Sequence, residues 1–253
     1  MRNLRLRLTY NGSAYHGWQI QNNAVTVQGT VESVIEKIFG KHLTVYGCSR
    51  TDTGVHANEY YCNFRTEKEM PCSKVVAALN GNLPSDIAVL DCEEMNDDFH
   101  SRFDCVSKQY VYRIWNSQVK NPFELNTAYH YKYSLDDTVL DKAAKDFIGT
   151  YDYKAFCSAG SSVEDTVRTV KHASVTRNGN MVEFRVEADG FLYNMVRIMV
   201  GTLIGINENK IDKDSIRNII LSGDRLNAGV TAPPHGLFLD KVYYQEVTAD
   251  EQE

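Results

Sequence analysis

The sequence lacks a CxxC pair, a long apolar run, a phosphate-binding glycine loop and an excess of basic charge, and each absence removes a class of function. Its six cysteines, Cys48, Cys62, Cys72, Cys92, Cys105 and Cys157, are scattered along the chain. That spacing suggests neither a zinc ribbon nor a dense disulfide framework, and most are expected to be buried free thiols. The most apolar stretch, "MVRIMVGTLIGI" from Met195 to Ile206, falls short of the roughly 18 to 20 residues that span a bilayer, and it carries Arg197. The N-terminus, "MRNLRLRLTYNGS", alternates charged and apolar residues instead of presenting the apolar block of a signal peptide. A soluble cytoplasmic protein with no membrane partner is expected. The chain carries neither a P-loop nor a dinucleotide fingerprint. A zinc deaminase needs His-x-Glu followed by Pro-Cys-x-x-Cys. Here His56 and Glu59 have the wrong spacing, and Pro71-Cys72-Ser73-Lys74 lacks the second cysteine, so no metal site is expected.

The net charge of −6 looks wrong for a nucleic-acid binder, but it is unevenly placed. Asp91 to Asp98 holds five carboxylates and Glu246 to Glu253 holds four, with no Lys or Arg in either window. Without those nine, 24 acidic residues stand against 27 basic ones, a balance of +3, which permits a basic cleft elsewhere.

What is present is a chain of 253 residues, 43% of them hydrophobic, enough to bury a sizeable core. "LRLRLTY" (Leu4 to Tyr10) alternates as a half-buried strand does. "VQGTVESVIEKIFGK" places Val31, Val34, Ile35, Ile38 and Phe39 at helical spacing and stops at Gly40. Strands are expected at Leu43 to Cys48 and Tyr60 to Arg65, a helix near Ser73 to Asn80, and a strand near Ala88 to Glu93. The order strand, helix, strand, strand, helix, strand is the ferredoxin-like pattern. A second round follows. "KQYVYRIW" is a strand and Leu135 to Ile148 a helix. Val167 to Thr176 and Met181 to Ala188 form a hairpin across "RNGN". Asn194 to Ile206 and Asp212 to Leu221 are helical, and Leu237 to Tyr244 is a closing strand. Two α+β halves, residues 1–104 and 105–246, are expected to share a mixed, mainly antiparallel sheet flanked by helices with a central cleft. An acidic tail, residues 247–253, follows. Residues 116–131 look unstructured and are long for a connection, which points to a functional or interface loop.

Within "SRTDTGVHA" (Ser49 to Ala57) sits Asp52-Thr53-Gly54, the triplet that carries the carboxylate of an aspartic protease. A protease needs two such carboxylates sharing one proton, and the chain has no second copy. Arg50, two residues before, would favour full ionisation instead. The plain alternative for Asp52 is an Asx-turn capping its own backbone.

"SRTDTGVHA" resembles the R-T-D-x-G-V-H-A loop of the tRNA pseudouridine synthase A family, with Thr53 at the unspecified position. "YHGWQIQ", "TVQGTVE", "FHSRF", "KQYVYRI", "GTYDYKAFC", "GFLYNMVRIMVGTLIGI" and "APPHGLFL" are similar to that family's blocks, in that family's order. The resemblance covers nearly the whole chain. It implies a pseudouridine synthase fold and the isomerisation of uridine to pseudouridine in the anticodon stem-loop of tRNA, at positions 38, 39 and 40. It implies a homodimer, no cofactor, and tRNA as partner in place of DNA. It makes Asp52 the essential carboxylate.

Arg197, alone on an apolar helix, is the natural counter-charge to hold the Asp52 pKa down; the alternative is a snorkelling surface arginine. Arg50 resembles an arginine that enters the RNA as the target base flips, or else makes a plain phosphate contact. Tyr110 can stack on uracil and relay the proton that leaves C5, or it is a core aromatic, the expected fate of Tyr112 on the same face. Leu237 matches a position that closes the base pocket, and His56 is expected to be structural. Cys48-Ser49 and Ala188 depart from the small residues or glycine common in relatives. They keep open a paralogue acting on another tRNA or rRNA uridine, beside a non-catalytic RNA-binding protein of the same fold.

Overall fold

A computed structural model describes residues 1–160 and 163–245, so the expected acidic tail lies outside the described residues. The first unit runs β1 (Arg2–Tyr10), α1 (Val27–Phe39), β2 (Tyr46–Gly47), β3 (His56–Thr66), α2 (Cys72–Asn80) and β4 (Ile87–Met95). The second runs β5 (Cys105–Asn116), β6 (Tyr129–Tyr131), α3 (Asp137–Ala144), β7 (Gly149–Asp152), β8 (Val167–Asn178), β9 (Met181–Ala188), α4 (Met195–Asn207), α5 (Ile216–Ser222) and β10 (Leu237–Tyr244). All ten strands form one mixed sheet in the order β4-β1-β3-β10-β5-β9-β8-β7, with β2 on β3 and β6 on β5. The order β4-β1-β3-β2 in the first unit is repeated as β10-β5-β9-β8 in the second, so two ferredoxin-like arrays share the sheet. The last strand makes the seam: β10 runs parallel to β3 through Phe238 and Leu239 beside His56 and Ala57, and antiparallel to β5.

Alternation decides which face is covered. Leu4, Leu6, Leu8 and Tyr10 of β1 are buried, and across the register so are Phe64, Cys62 and Tyr60 of β3. The opposite face carries ion pairs: Arg5 with Glu93, Arg7 with Glu59, Arg113 with Glu183, and Arg185 with Asp240. Four of the chain's acids, Glu93, Glu59, Glu183 and Asp240, are thus paired on the polar back of the sheet. Tyr110 and Tyr112 alternate with Gln109 and Arg113 on β5 and belong to the buried face, the face against which α4 packs.

Local chemistry explains where the sheet and helices depart from the periodicity. The strand expected over residues 43–48 shrinks to Tyr46–Gly47, because Val45 N–H donates to Glu32 Oε1 at 2.9 Å and Val45 O accepts from Gln28 Nε2 at 3.1 Å. Two side chains of α1 thus take the backbone groups a neighbouring strand would need. The helix expected over residues 135–148 spans Asp137–Ala144: Asp136 caps Val139 N at 3.1 Å, and the last turn tightens into a 3₁₀ segment at Lys145–Phe147. The helix expected from residue 212 begins at Ile216, because Asp212 is used in a turn, its Oδ1 accepting from Asp214 N. Residues 116–131 are not structureless. They hold a 3₁₀ turn at Pro122–Glu124 and strand β6, which pairs parallel with β5. Cys48, Cys62 and Cys92 are buried and Cys72, Cys105 and Cys157 half-buried, all of them free thiols. Among the described residues no helix is long and apolar enough to cross a membrane.

Candidate active site

Residues 49–55 form the loop between β2 and β3, and the chain before them is shaped to receive it. Gly17 has φ +83°, and a Cβ there would lie 2.3 Å from Thr51 O, so only glycine lets Trp18 N–H reach Thr51 O at 3.1 Å. Tyr10 Oη meets Thr51 Oγ1 at 2.9 Å, and Tyr60 Oη donates to Ser49 O. Trp18 stacks on Tyr60 with ring centroids 4.0 Å apart. Inside the loop Gly54 takes φ +77°, and Val55 N–H closes a turn onto Asp52 O at 3.1 Å. The turn is made by backbone groups, which leaves the Asp52 carboxylate free of the Asx-type bond weighed for it. His56 anchors the loop's exit: its Nδ1 accepts from Gly12 N–H at 3.0 Å, which leaves the proton on Nε2 facing His235 O at 3.1 Å. Burial lowers its pKa, so it is a neutral structural ring, stacked on Phe238.

Arg197 comes to this loop from α4, a helix buried on all sides. Its Nη1 lies 3.6 Å from Asp52 Oδ2, with the two side chains 16% and 31% exposed, so it is not a snorkelling surface arginine. Its Nε donates to Ala232 O at 2.7 Å and its Nη1 to Asn194 Oδ1 at 2.6 Å. Ala232 can be so near because Gly201 has no side chain: a Cβ there would stand 1.6 Å from Val230 O. The expectation for the carboxylate itself needs correction. Its pKa is raised, because desolvation by the surrounding loop outweighs the lowering by Arg197. Arg197 moderates the shift without reversing it.

Tyr110 is buried on β5, its Oη 3.4 Å from Ser49 Oγ and its ring edge-on to Phe191 at 5.0 Å. Burial, with the Asp52 charge adding to it, raises its pKa, so the phenol is neutral. Tyr112 is a core aromatic whose Oη donates to Pro233 O at 2.8 Å. Leu237 is buried at the start of β10, opposite Tyr112. Arg50 is exposed and, among the described residues, forms no ion pair. The structure thus brings Asp52, Arg197 and Tyr110 to the seam of the two units, with Leu237 beside them and Arg50 at the rim. Hollows of about 440 Å³ beside Thr26 and about 290 Å³ beside Trp115 lie elsewhere and are lined by none of these residues. The sequence reading missed Asn194, Phe191 and the Ala232 carbonyl. Asn194, three residues before Arg197 at a helix start, offered the one available signal. Among the described residues no group of three metal-ligating side chains occurs.

The site thus sets a carboxylate against one helix-borne arginine beside a buried tyrosine, and comparison with known proteins names the class. The sequence model for the family described as tRNA pseudouridine synthase matches residues 8–104 and 143–245, and the chain belongs to that family. It is accordingly an isomerase acting on tRNA. The relatives are specific: tRNA pseudouridine synthase A of Clostridium acetobutylicum is 46% identical over 244 residues, covering 96% of this chain and 100% of that protein. The proteins of the same name from Acetivibrio thermocellus and Thermoanaerobacter sp. (strain X514) are 45% and 44% identical with the same coverage. A solved chain of a Cbf5-Nop10-Gar1 complex aligns over 78% of this chain and 52% of its own, with 12% identity and a TM-score of 0.36.

Proposed function

We propose that the protein converts uridine to pseudouridine in the anticodon stem-loop of tRNA, at positions 38, 39 and 40, as a cytoplasmic homodimer, with Asp52 as the essential carboxylate and no cofactor. The observation that carries this reading is the Asp52–Arg197 pair at 3.6 Å on the covered face of the seam. The reaction breaks the bond from N1 to the ribose C1′, turns the base and joins C1′ to C5. The C5 proton leaves and N1 gains one, so atoms and electrons balance without a co-reactant. Asp52 must be ionised to attack the base or ribose, or to stabilise a sugar cation. Its raised pKa makes it more basic, and Arg197 keeps the ionised form accessible.

Tyr110 offers the uracil a ring face and a hydroxyl. Because the phenol is neutral, it moves the C5 proton only as a relay, taking one proton as it passes its own on; Ser49 Oγ, 3.4 Å away, can hand that proton onward but not keep it, so the final acceptor is solvent. Leu237 closes the base pocket. Extruding a base costs a few kcal/mol, and Arg50, exposed and without an acidic partner among the described residues, is suited to fill the vacated stack. The exposed Phe123 and Leu125 of residues 116–131 supply apolar surface for the partner subunit. Each reading meets one test: purified wild type and Asp52→Asn are incubated with tRNA and the pseudouridines mapped. Product at positions 38–40 with wild type and none with Asp52→Asn is expected. Product from Asp52→Asn overturns the mechanism, and tRNA binding without product from wild type makes this a binding protein.

A further inference from the structure

The Asp52–Arg197 pair is looser than two such groups make when left to themselves. A guanidinium and a carboxylate in contact close to about 2.7–2.9 Å, often through two parallel bonds. Here the approach stops at 3.6 Å. The reason is visible in the arginine's other bonds. Nε is committed to Ala232 O at 2.7 Å, and Nη1, the atom nearest Asp52, is committed to Asn194 Oδ1 at 2.6 Å. Ala232 is itself pinned, its N–H donating to Arg197 O at 3.0 Å.

Asn194 is unusual among the helix starts. It precedes α4 with φ 61° and ψ 10°, in the left-handed region, and its side chain makes no capping bond to the helix it begins. Its Oδ1 instead accepts from Arg197, and its Nδ2 donates to Ser158 Oγ at 3.0 Å, so the amide is held at both ends. Glycine would satisfy that backbone more easily. Asparagine satisfies the backbone and supplies an acceptor, which glycine does not.

We infer that Asn194 is a positioning residue that holds the Arg197 guanidinium at a stand-off from Asp52, so that the carboxylate is balanced in charge yet left uncapped for the substrate. The inference rests on Asp52 being the essential carboxylate. Without the Asn194 oxygen, the side-chain partner left to Nη1 among the described residues is Asp52 Oδ2, at 3.6 Å. With Nε still anchored on Ala232, the guanidinium closes onto the carboxylate, favours its ionised form and occupies the oxygen the substrate needs.

The test uses Asn194→Gly, which accepts the left-handed backbone, and Asn194→Asp, which accepts it and restores an oxygen. Among the described residues two charged or titratable groups act on Asp52 or are acted on by it, Arg197 from α4 and Tyr110 from β5. Tyr112 and His235 lie near Arg197, and all four are unchanged in both variants. The Asp52 titration is followed by carboxyl ¹³C NMR of aspartate-labelled protein, the resonance identified by its loss in Asp52→Asn, alongside kcat and KM for tRNA. In Asn194→Gly the Asp52 midpoint is expected to move to lower pH and kcat to fall about tenfold or more with KM little changed. Asn194→Asp is expected to hold the midpoint at or above that of wild type and to recover much of kcat. A midpoint that stays or rises in Asn194→Gly overturns the inference, as does an Asn194→Asp no better than Asn194→Gly. Activity surviving in Asp52→Asn would instead overturn the reading of Asp52, which the NMR titration does not depend on.

Discussion

Asp52 rides on a loop of the first unit and Arg197 on a helix of the second, and the two are held by different means. The loop residues 49–55 have no helix or strand of their own; they are fastened from beneath by polar ends of buried aromatics, Tyr10 on Thr51 and Tyr60 on Ser49, and by the Trp18 amide. Arg197 is fastened by burial, since eleven of the thirteen residues of α4 are buried and the helix cannot turn without exposing them. The loop therefore depends on a few directional bonds and two close backbone approaches, the helix on spread apolar area. The carboxylate on its pinned loop can be displaced by single substitutions beneath it, whereas the backbone of α4 tolerates more change; the Arg197 guanidinium itself, resting on Ala232 O and Asn194 Oδ1, is as sensitive as the loop.

Two glycines test this difference, one on each side. In Gly12→Ala the new Cβ would lie 1.9 Å from Val55 O, and in Gly201→Ala 1.6 Å from Val230 O. Each forces backbone to move, at about 1–3 kcal/mol of stability, read as a lowered Tm. The activities should differ. Gly12→Ala displaces the carboxylate itself and is expected to lose about 10²-fold in kcat. Gly201→Ala moves the segment bearing Ala232 O, disturbs only the counter-charge, and should lose less. The reverse order, measured in tRNA turnover, would break the comparison.

A smaller effect of opposite sign is expected at the carboxylate. The folded-state pKa of Asp52 is raised above its unfolded value of 3.8 by desolvation. Between those two values the folded state binds more protons than the unfolded one, so stability falls as pH rises through that window and stays lost above it. Asp52→Asn removes the ionisable group, and Arg197 keeps its bonds to Asn194 and Ala232. Asp52→Asn is therefore expected to melt above wild type at neutral pH, with the gap shrinking as pH falls through the carboxylate range. A lower Tm at neutral pH would mean that pairing with Arg197 outweighs desolvation.

The same contrast separates what was legible in the sequence from what was not. Strand β1 and helix α1 carry their own period, and Gly40 marks the helix end with φ 80°. The pairing of Asp52 with Arg197 was legible because one arginine on an apolar helix must find a partner. The sign of the Asp52 shift was not, since desolvation is set by how the loop is covered, which no local pattern encodes. Residues 43–48 read as a strand because nothing in them announces that Gln28 and Glu32 will claim the Val45 backbone. Asn194 and the Ala232 carbonyl were hidden for the same reason: each acts through a contact between distant segments.

The smallest effect on stability, and the sharpest on role, is expected at Arg50. It lies on the pinned loop yet takes no part in the pinning, being exposed and without an ion pair among the described residues. Arg50→Ala should leave Tm nearly unchanged, within about 0.5 kcal/mol of stability. Activity distinguishes its two uses. A phosphate contact needs only charge, so Arg50→Lys would restore both tRNA affinity and kcat to the Ala variant. A group that fills the stack left by the flipped base needs a planar face, which lysine lacks; Arg50→Lys would then restore affinity while kcat stays low. The second outcome is expected, because the loop presents Arg50 to solvent two residues from the carboxylate with its planar guanidinium uncommitted to an ion pair among the described residues.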